Sequence, residues 1–338
     1  MTDRSPRVRG LVSQCLVLAI AVGALLLAFR RASLHEIGDA LRQVRVSYLL
    51  LSALVLSASY GVRGVRWRVL LSAERHLPLG TVFWANMLGY LGNNLLPARA
   101  GEVIRSALLS RRTDLSSSYI LATALTERIM DLVALVLISL VAVAALPHPP
   151  EWLRSTAAVA GAAAVGGATA LYLASHSHAR LVKLLAWLPL PERIRSRLSG
   201  IVEQFLLGAR AIHHPSRAAS FAGLAVMIWL LDASSSILTA RALSLSLSLP
   251  EALVLLAALG VASALPSTPG ALGIFQLAAV TVLVPLGIPH DSALAYILVL
   301  QASAYIVVGV WAVLGLWRLG RSASPARVAQ ARSAISPP

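Results

Sequence analysis

Asn93-Asn94-Leu95-Leu96-Pro97-Ala98-Arg99-Ala100-Gly101-Glu102-Val103-Ile104-Arg105 interrupts a run that is otherwise apolar enough to lie in a membrane. Two amides, a proline, a glycine, two arginines and a glutamate are costly in such a run unless they find partners. A second interruption, Leu265-Pro266-Ser267-Thr268-Pro269-Gly270-Ala271-Leu272-Gly273, repeats the pattern Leu-Pro-x-x-x-Gly. Pro97 and Pro266 are separated by half the length of the chain. Matching Gly/Pro breaks in two halves of an apolar chain point to a site built for transport.

The composition fixes the solvent. Hydrophobic residues make up 57% of the chain and charged ones 13%, against roughly 25% charged in a soluble domain. Several windows exceed the ~18 apolar residues that cross a bilayer as a helix, so the chain reads as an all-α, polytopic integral membrane protein. The net charge of +15 resides in the loops between apolar runs. That is the distribution of orientation signals and anionic-lipid contacts, not of a nucleic-acid surface. Cys15 is the single cysteine and has no partner, which excludes disulfides and cysteine metal sites. His213-His214-Pro215 reads as the end of a surface helix. No Walker loop, dinucleotide fingerprint, HExxH or GxSxG elbow occurs, so no catalytic residue, metal or cofactor is expected.

Along the chain, residues 1–10 form a basic leader to an uncleaved first span, Leu11–Ala28. A connector over 30–46 carries Leu34, Ile37, Leu41 and Val44 at helical spacing, as in a short interfacial helix. The second span, from about Ser47 to Val62, runs into Arg63, Arg66, Trp67 and Arg68, which read as snorkelling and interfacial anchors. Pro78–Leu96 leads into the first break and a basic amphipathic piece follows to Asp114. Leu115–Leu146 is a long span, and Ser155–Ala174 is Ala/Gly-rich, as closely packed membrane helices are. The basic segment 175–217 reads as helices on the membrane surface. Spans at Ala218–Ala240 and Ser292–Trp317 flank the second break, with Leu249–Leu265 before it and Leu272–Leu286 after it. The basic, Ser/Ala/Pro-rich tail 318–338 is expected to be disordered.

Charge chooses between two topologies. If both interrupted segments cross the bilayer, eight spans leave 13 Lys/Arg inside and 15 outside. If both dip in and return, about six full spans and two re-entrant hairpins leave 22 inside and 6 outside, with Arg128 in the membrane. The positive-inside rule favours the second arrangement. Its hairpins enter from opposite faces, which makes residues 47–146 and 218–317 inverted repeats within one domain, 11–317. Both termini then lie in the cytoplasm, and the two breaks are expected to meet near the middle, because non-helical backbone at membrane depth must be buried in protein or line a wet cavity.

Three groups of residues suit chemistry. Arg99 and Arg105 offer forked donors for phosphate, Glu102 can orient one of them, and Asn93 and Asn94 can bind headgroup oxygens or freed backbone groups. Pro97, Gly101, Pro266, Pro269, Gly270 and Gly273 shape the breaks. Glu127, Arg128 and Asp131 fall within five positions of an apolar helix, with Arg128 able to reach Asp131 at i, i+3. They form either a structural ion-pair network or a polar path. Asp232 is a lone intramembrane carboxylate, for which an arginine of the first repeat is a candidate partner. Gln276 and Gln301 suit hydrogen bonding between helices.

The set Arg63-x-x-Arg66-Trp67, Gly92-Asn93-Asn94-Leu95-Leu96-Pro97-x-Arg99-x-Gly101-Glu102-x-x-Arg105, Glu127-Arg128-x-x-Asp131 and Pro269-Gly270-x-x-Gly273-x-Phe275 resembles the flippase-like membrane domain of lysylphosphatidylglycerol synthases. The likeness covers about residues 11–317. Ala271 and Gln276 depart from the glycine and glutamate common in that family. The resemblance implies movement of a phosphate-bearing lipid or lipid-linked molecule between leaflets of the bacterial inner membrane. Membrane lipids with anionic headgroups and an enzyme of lipid or envelope synthesis are the implied partners. The alternative is a membrane-embedded enzyme or accessory subunit acting on a lipid precursor. Only a short tail follows the last span, and no synthase activity is expected of the chain.

Overall fold

The computed structural model describes residues 23–30, 32–96, 100–175, 214–264 and 269–322, and every regular element among them is a helix. Residues 23–29 are helical. There follow α1 (Leu34–Arg42), α2 (Val46–Leu71), α3 (Leu79–Leu95), α4 (Gly101–Ser110), α5 (Ser117–Ala144), α6 (Glu151–Ser175), α7 (Pro215–Ala242), α8 (Leu249–Ala264), a 3-10 turn (Pro269–Ala271), α9 (Ile274–Leu283) and α10 (His290–Ser322). Expectations for residues 1–10, Cys15, Pro97, Arg99, Pro266, the basic segment through residue 213 and the tail beyond 322 fall outside the described residues.

Local chemistry starts these helices. The Ser33 hydroxyl accepts from the Glu36 amide at the head of α1, with Glu36 in the first turn and Arg42 in the last, matching both ends of the helix dipole. The connector helix does not lie free: Ile37 is buried against Leu294 and Ala295 of α10, and the Ser33 amide donates to Asp291 Oδ1 at 2.9 Å. Ser116 caps α5 through the Tyr119 amide at 3.2 Å. His214 and Pro215 open α7 with proline in its first turn, where no amide donor is missed; the surface helix expected to end at His213 falls outside the described residues.

Hydropathy and length separate two kinds of helix. α2, α7 and residues 290–318 of α10 are long and apolar enough to cross a bilayer. α5, with 28 residues, spans about 42 Å but carries Glu127, Arg128 and Asp131 in its middle. α3 and α4 have 17 and 10 residues, and α8 and α9 have 16 and 10. At 1.5 Å per residue none reaches the ~30 Å of a hydrocarbon core. Each pair instead folds back on itself, α3 on α4 and α8 on α9. Glycines let the first hairpin close: a Cβ on Gly92 would stand 2.9 Å from the Gly101 Cα, and one on Gly101 would collide with the Gly89 carbonyl.

The helices of the first half recur in the second in the same order. α2, α3, α4 and α5 each begin about half a chain length before α7, α8, α9 and α10 respectively. Neighbours recur as well. α3 meets α10 through Phe83 against Trp311, 5.4 Å between ring centroids, and α5 meets α8 through Leu135 seated over Gly260. The equivalent helices α2 and α7 run antiparallel. Contacts between them step from the Arg45 amide on the Ala242 carbonyl, through Ser52 on Thr239, to Arg66 over Phe221. Antiparallel packing of equivalent helices is the geometry of inverted repeats related by a two-fold axis. α3 also touches the turn Pro269–Ala271, so the helix leading into the first break meets the second break.

The packing is apolar outward. Leu50, Leu54, Val226, Ile306, Val310 and Val313 are exposed, Leu54 to 67%, as befits surfaces solvated by lipid. Arg66, Asn86, Arg105, Glu127, Asp232 and Gln276 are buried. One core cluster joins Trp67, Leu70, Val82, Leu109, Ile120 and Phe221, and a second joins α5 and α6 to α7 through α10.

Candidate functional site

One face of α2 begins the site. Arg66 is 0% exposed and forks onto α5, with Nη1 donating to Asp131 Oδ1 at 2.6 Å and Nη2 to Oδ2 at 2.9 Å. Nη2 also donates to Glu127 Oε1 at 2.9 Å. Glu127 and Asp131 are four positions apart and so share the α5 face that receives this fork. The other Glu127 oxygen accepts from Arg105 Nη2 of α4 at 3.1 Å. Arg105 Nη1 donates to Asn86 Oδ1 of α3 at 2.7 Å, and its guanidinium lies 4.5 Å from the Trp67 ring centroid. Glu102 closes the sequence, its Oε2 2.6 Å from Arg105 Nη2 and its Oε1 accepting from Arg128 Nη2 at 2.6 Å and Nε at 3.0 Å. Asn93 Nδ2 reaches the same oxygen at 3.4 Å.

The charges therefore alternate along one connected path, Asp131, Arg66, Glu127, Arg105, Glu102, Arg128, with no net charge. Isolated burial of any of them would cost several kcal/mol, and alternation of charge offsets that cost, with hydrogen bonds at every step but the Arg105–Glu102 ion pair. The path joins α2, α3, α4 and α5, so it ties the first hairpin to the long helices beside it.

A second ion pair joins the halves. Arg63 Nη2 stands 2.5 Å from Asp232 Oδ2, Ser59 donates to Asp232 Oδ1 at 2.5 Å, and the Arg63 guanidinium lies 6.0 Å from the Trp229 ring centroid. Arg63 and Asp232 are 169 residues apart, the same offset that carries the start of α2 onto the start of α7. Equivalent positions of two related repeats meet only on the axis that relates them, so this pair marks the pseudo-two-fold.

The second break is neutral. Gly270 (φ 72°) and Gly273 (φ 85°) adopt the left-handed backbone that glycine alone takes without strain. The Gly270 carbonyl accepts from Gln301 Nε2 at 2.5 Å and from the Tyr305 hydroxyl. Gln276 Nε2 donates to Gln301 Oε1 at 2.8 Å while its Oε1 receives the Gly273 amide at 2.7 Å. The offset that relates Arg63 to Asp232 also relates Glu127 to Tyr296, which has Ser236 at 2.5 Å in place of an arginine.

Several side chains lie elsewhere than their spacing indicated. Arg63 and Arg66 do not snorkel; they point inward with Trp67, and of that group Arg68 alone is exposed. Arg128 pairs with Glu102 instead of Asp131, because the Arg66 fork already occupies both Asp131 oxygens. Asn94 sits half-buried in the last turn of α3, and Gly101 opens α4. Sequence reasoning missed Arg66, Arg63, Ser59 and Asn86 as site residues. The three-residue step from Arg63 to Arg66, on the face of the buried Leu70, was the signal for the arginines. Among the described residues no three His, Cys, Asp or Glu side chains gather as a metal site. The network makes its own prediction. Arg66→Ala strands Asp131 and leaves Glu127 with Arg105 alone, and should cost about 3–5 kcal/mol in thermal unfolding in detergent, whereas Arg68→Ala should stay within about 0.5 kcal/mol. Equal, small effects would contradict the network.

Comparison with known proteins agrees with this architecture. The family model described as "Lysylphosphatidylglycerol synthase TM region" matches residues 14–312. A relative named "Glycosyltransferase AglD" from Haloferax volcanii is 24% identical over 305 residues, covering 81% of this chain and 49% of the relative. The chain thus spans about half the length of that relative. With the match running from before α1 into α10, the chain is a membrane protein that belongs to the lysylphosphatidylglycerol synthase transmembrane-region family.

Proposed function

We propose that this protein moves a phosphate-bearing lipid or lipid-linked molecule between the leaflets of a bacterial inner membrane, without catalysing a reaction. The observation that carries this reading is the charge-neutral path tying a glycine-seamed helical hairpin to the core of an apolar bundle. In this reading α3–α4 and α8–α9 are re-entrant, entering from opposite faces, and the two breaks lie where substrate passes.

The path is not uniformly sealed. The side chains of Arg66, Arg105 and Glu127 are no more than 1% exposed, whereas Arg128 is 28% and Glu102 17% exposed. Glu102 thus holds Arg128 and Arg105 from the accessible end. A phosphate competes for the same two guanidinium groups, which suit its geometry, and takes over the role of Glu102 when it enters. Anionic headgroups are accordingly the proposed partners.

A second reading takes support from the relative's name. The chain instead serves an enzyme acting on a lipid-linked precursor, as a membrane-embedded or accessory part. The two diverge in vesicles. With purified protein in phosphatidylcholine/phosphatidylglycerol vesicles, fluorescent phosphatidylglycerol in the inner leaflet should become accessible to an added quencher. Arg128→Ala should slow this about tenfold, the loss of one charge-assisted contact. No acceleration by the wild-type protein, together with a new glycolipid when a sugar donor is supplied, would favour the second reading.

Orientation has its own test. With Cys15→Ser as background, the proposed topology places Arg112→Cys in reach of an impermeant thiol reagent from the cytoplasm and Ser246→Cys from outside. Both positions are exposed. The opposite labelling would remove the re-entrant arrangement.

A further inference from the structure

Buried donors without acceptors gather beside the Arg63–Asp232 pair. The Nε of Arg63, the hydroxyl of Tyr90 and the Nε1 of Trp229 are all buried with no hydrogen-bond partner. Their placement is mutual. Trp229 lies against the Arg63 guanidinium. Tyr60, one turn before Arg63 on α2, sets its ring 5.4 Å from that of Tyr90 on α3. Tyr90 therefore faces the α2 surface that carries Arg63. Its hydroxyl is in electrostatic reach of Arg63, Glu127, Arg128 and Arg105.

Native cores rarely leave such groups unpaired, and a cluster of them calls for an explanation. The chemistry of the cluster selects the occupant. Arg63 Nε and Trp229 Nε1 only donate, and a phenol hydroxyl donates readily. Asp232, the carboxylate of this pair, is already engaged by Ser59 and by Arg63 Nη2. What fits is a group with several acceptor oxygens and no protons to give. Position adds to this. Arg63 and Asp232 mark the pseudo-two-fold, and the axis of inverted repeats lies in the membrane plane near mid-depth.

We propose that Arg63 Nε, the Tyr90 hydroxyl and Trp229 Nε1 form a mid-membrane subsite for a phosphate group, a waypoint beyond the Glu102–Arg128 entrance; as a waypoint it rests on the transport reading above. Asp232 keeps the subsite near neutrality, so a passing phosphate is coordinated without being trapped.

The test separates this subsite from transport itself. Short-chain (dihexanoyl) phosphatidylglycerol, dihexanoyl glycerol and inorganic phosphate are titrated against purified protein, and the melting temperature is followed. The phospholipid should raise it for the wild-type protein, and Tyr90→Phe should need about tenfold more for the same shift. Apo Tyr90→Phe should melt no lower than wild type, since the change removes an unpaired hydroxyl. Dihexanoyl glycerol should do nothing. Inorganic phosphate acting in the same Tyr90-dependent way supports the subsite and makes free phosphate its source. If Tyr90→Phe does not fold, Trp229→Phe is read in the same manner. Equal phospholipid dependence in variant and wild type, or an equal response to dihexanoyl glycerol, overturns the subsite and leaves its atoms to water. Tyr90-dependent binding without any lipid movement in vesicles keeps the subsite and overturns transport.

Discussion

A guanidinium buried among apolar helices has to be met by a carboxylate from a neighbouring helix, and much of this structure follows from that constraint. Arg66 is fully buried near the C-terminal end of α2, so α5 must present Glu127 and Asp131 to it. Glu127 has a second oxygen, which draws in Arg105 and with it α4. Arg105 in turn needs Asn86 and Glu102, and this fixes how the hairpin closes over Gly89, Gly92 and Gly101. Removing one charge leaves its neighbour stranded in a low dielectric, so the path behaves as a unit.

The two halves solve the same packing problem with different chemistry. In the first half the hairpin is anchored by charges; in the second it is anchored by Gln301 and Tyr305 on the Gly270 carbonyl, with Gln276 joining Gln301 to the Gly273 amide. The second break holds no charged side chain among the described residues, and Glu251 of that hairpin lies in the first turn of α8, away from the break. The paired charges of the hairpins thus sit in the first half, and the second has amides and hydroxyls in their place. The Arg63–Asp232 pair joins them where equivalent positions coincide.

The sequence showed more of the fold than of the site. Hydropathy alone yields an all-helical membrane chain, and the two Leu-Pro-x-x-x-Gly breaks locate both short hairpins. The spacing of Glu127 and Asp131 shows that they share a face. It does not show what faces them, since Arg128 at i, i+3 competes locally with Arg66 from another helix, and the interhelix fork prevails. Arg63 and Arg66 mislead for a related reason. Basic residues near the end of an apolar run usually reach for the interface, and here α2 continues to Leu71, which keeps them inside. The Arg63–Asp232 contact was legible in principle, because its offset of 169 equals that between Pro97 and Pro266. Gln276, where the family pattern has a glutamate, leaves the second break with an amide in place of a carboxylate.

The central claim is that pairing across the pseudo-two-fold holds the repeats together, and a charge exchange tests it most directly. Arg63→Asp and Asp232→Arg should each lower the melting temperature, one by placing two carboxylates together and the other two guanidinium groups. The double variant should recover most of the loss, because equivalent positions on a two-fold axis can trade partners; a coupling of about 1–3 kcal/mol is expected for residues in direct contact. A double variant no more stable than the worse single variant would contradict the account.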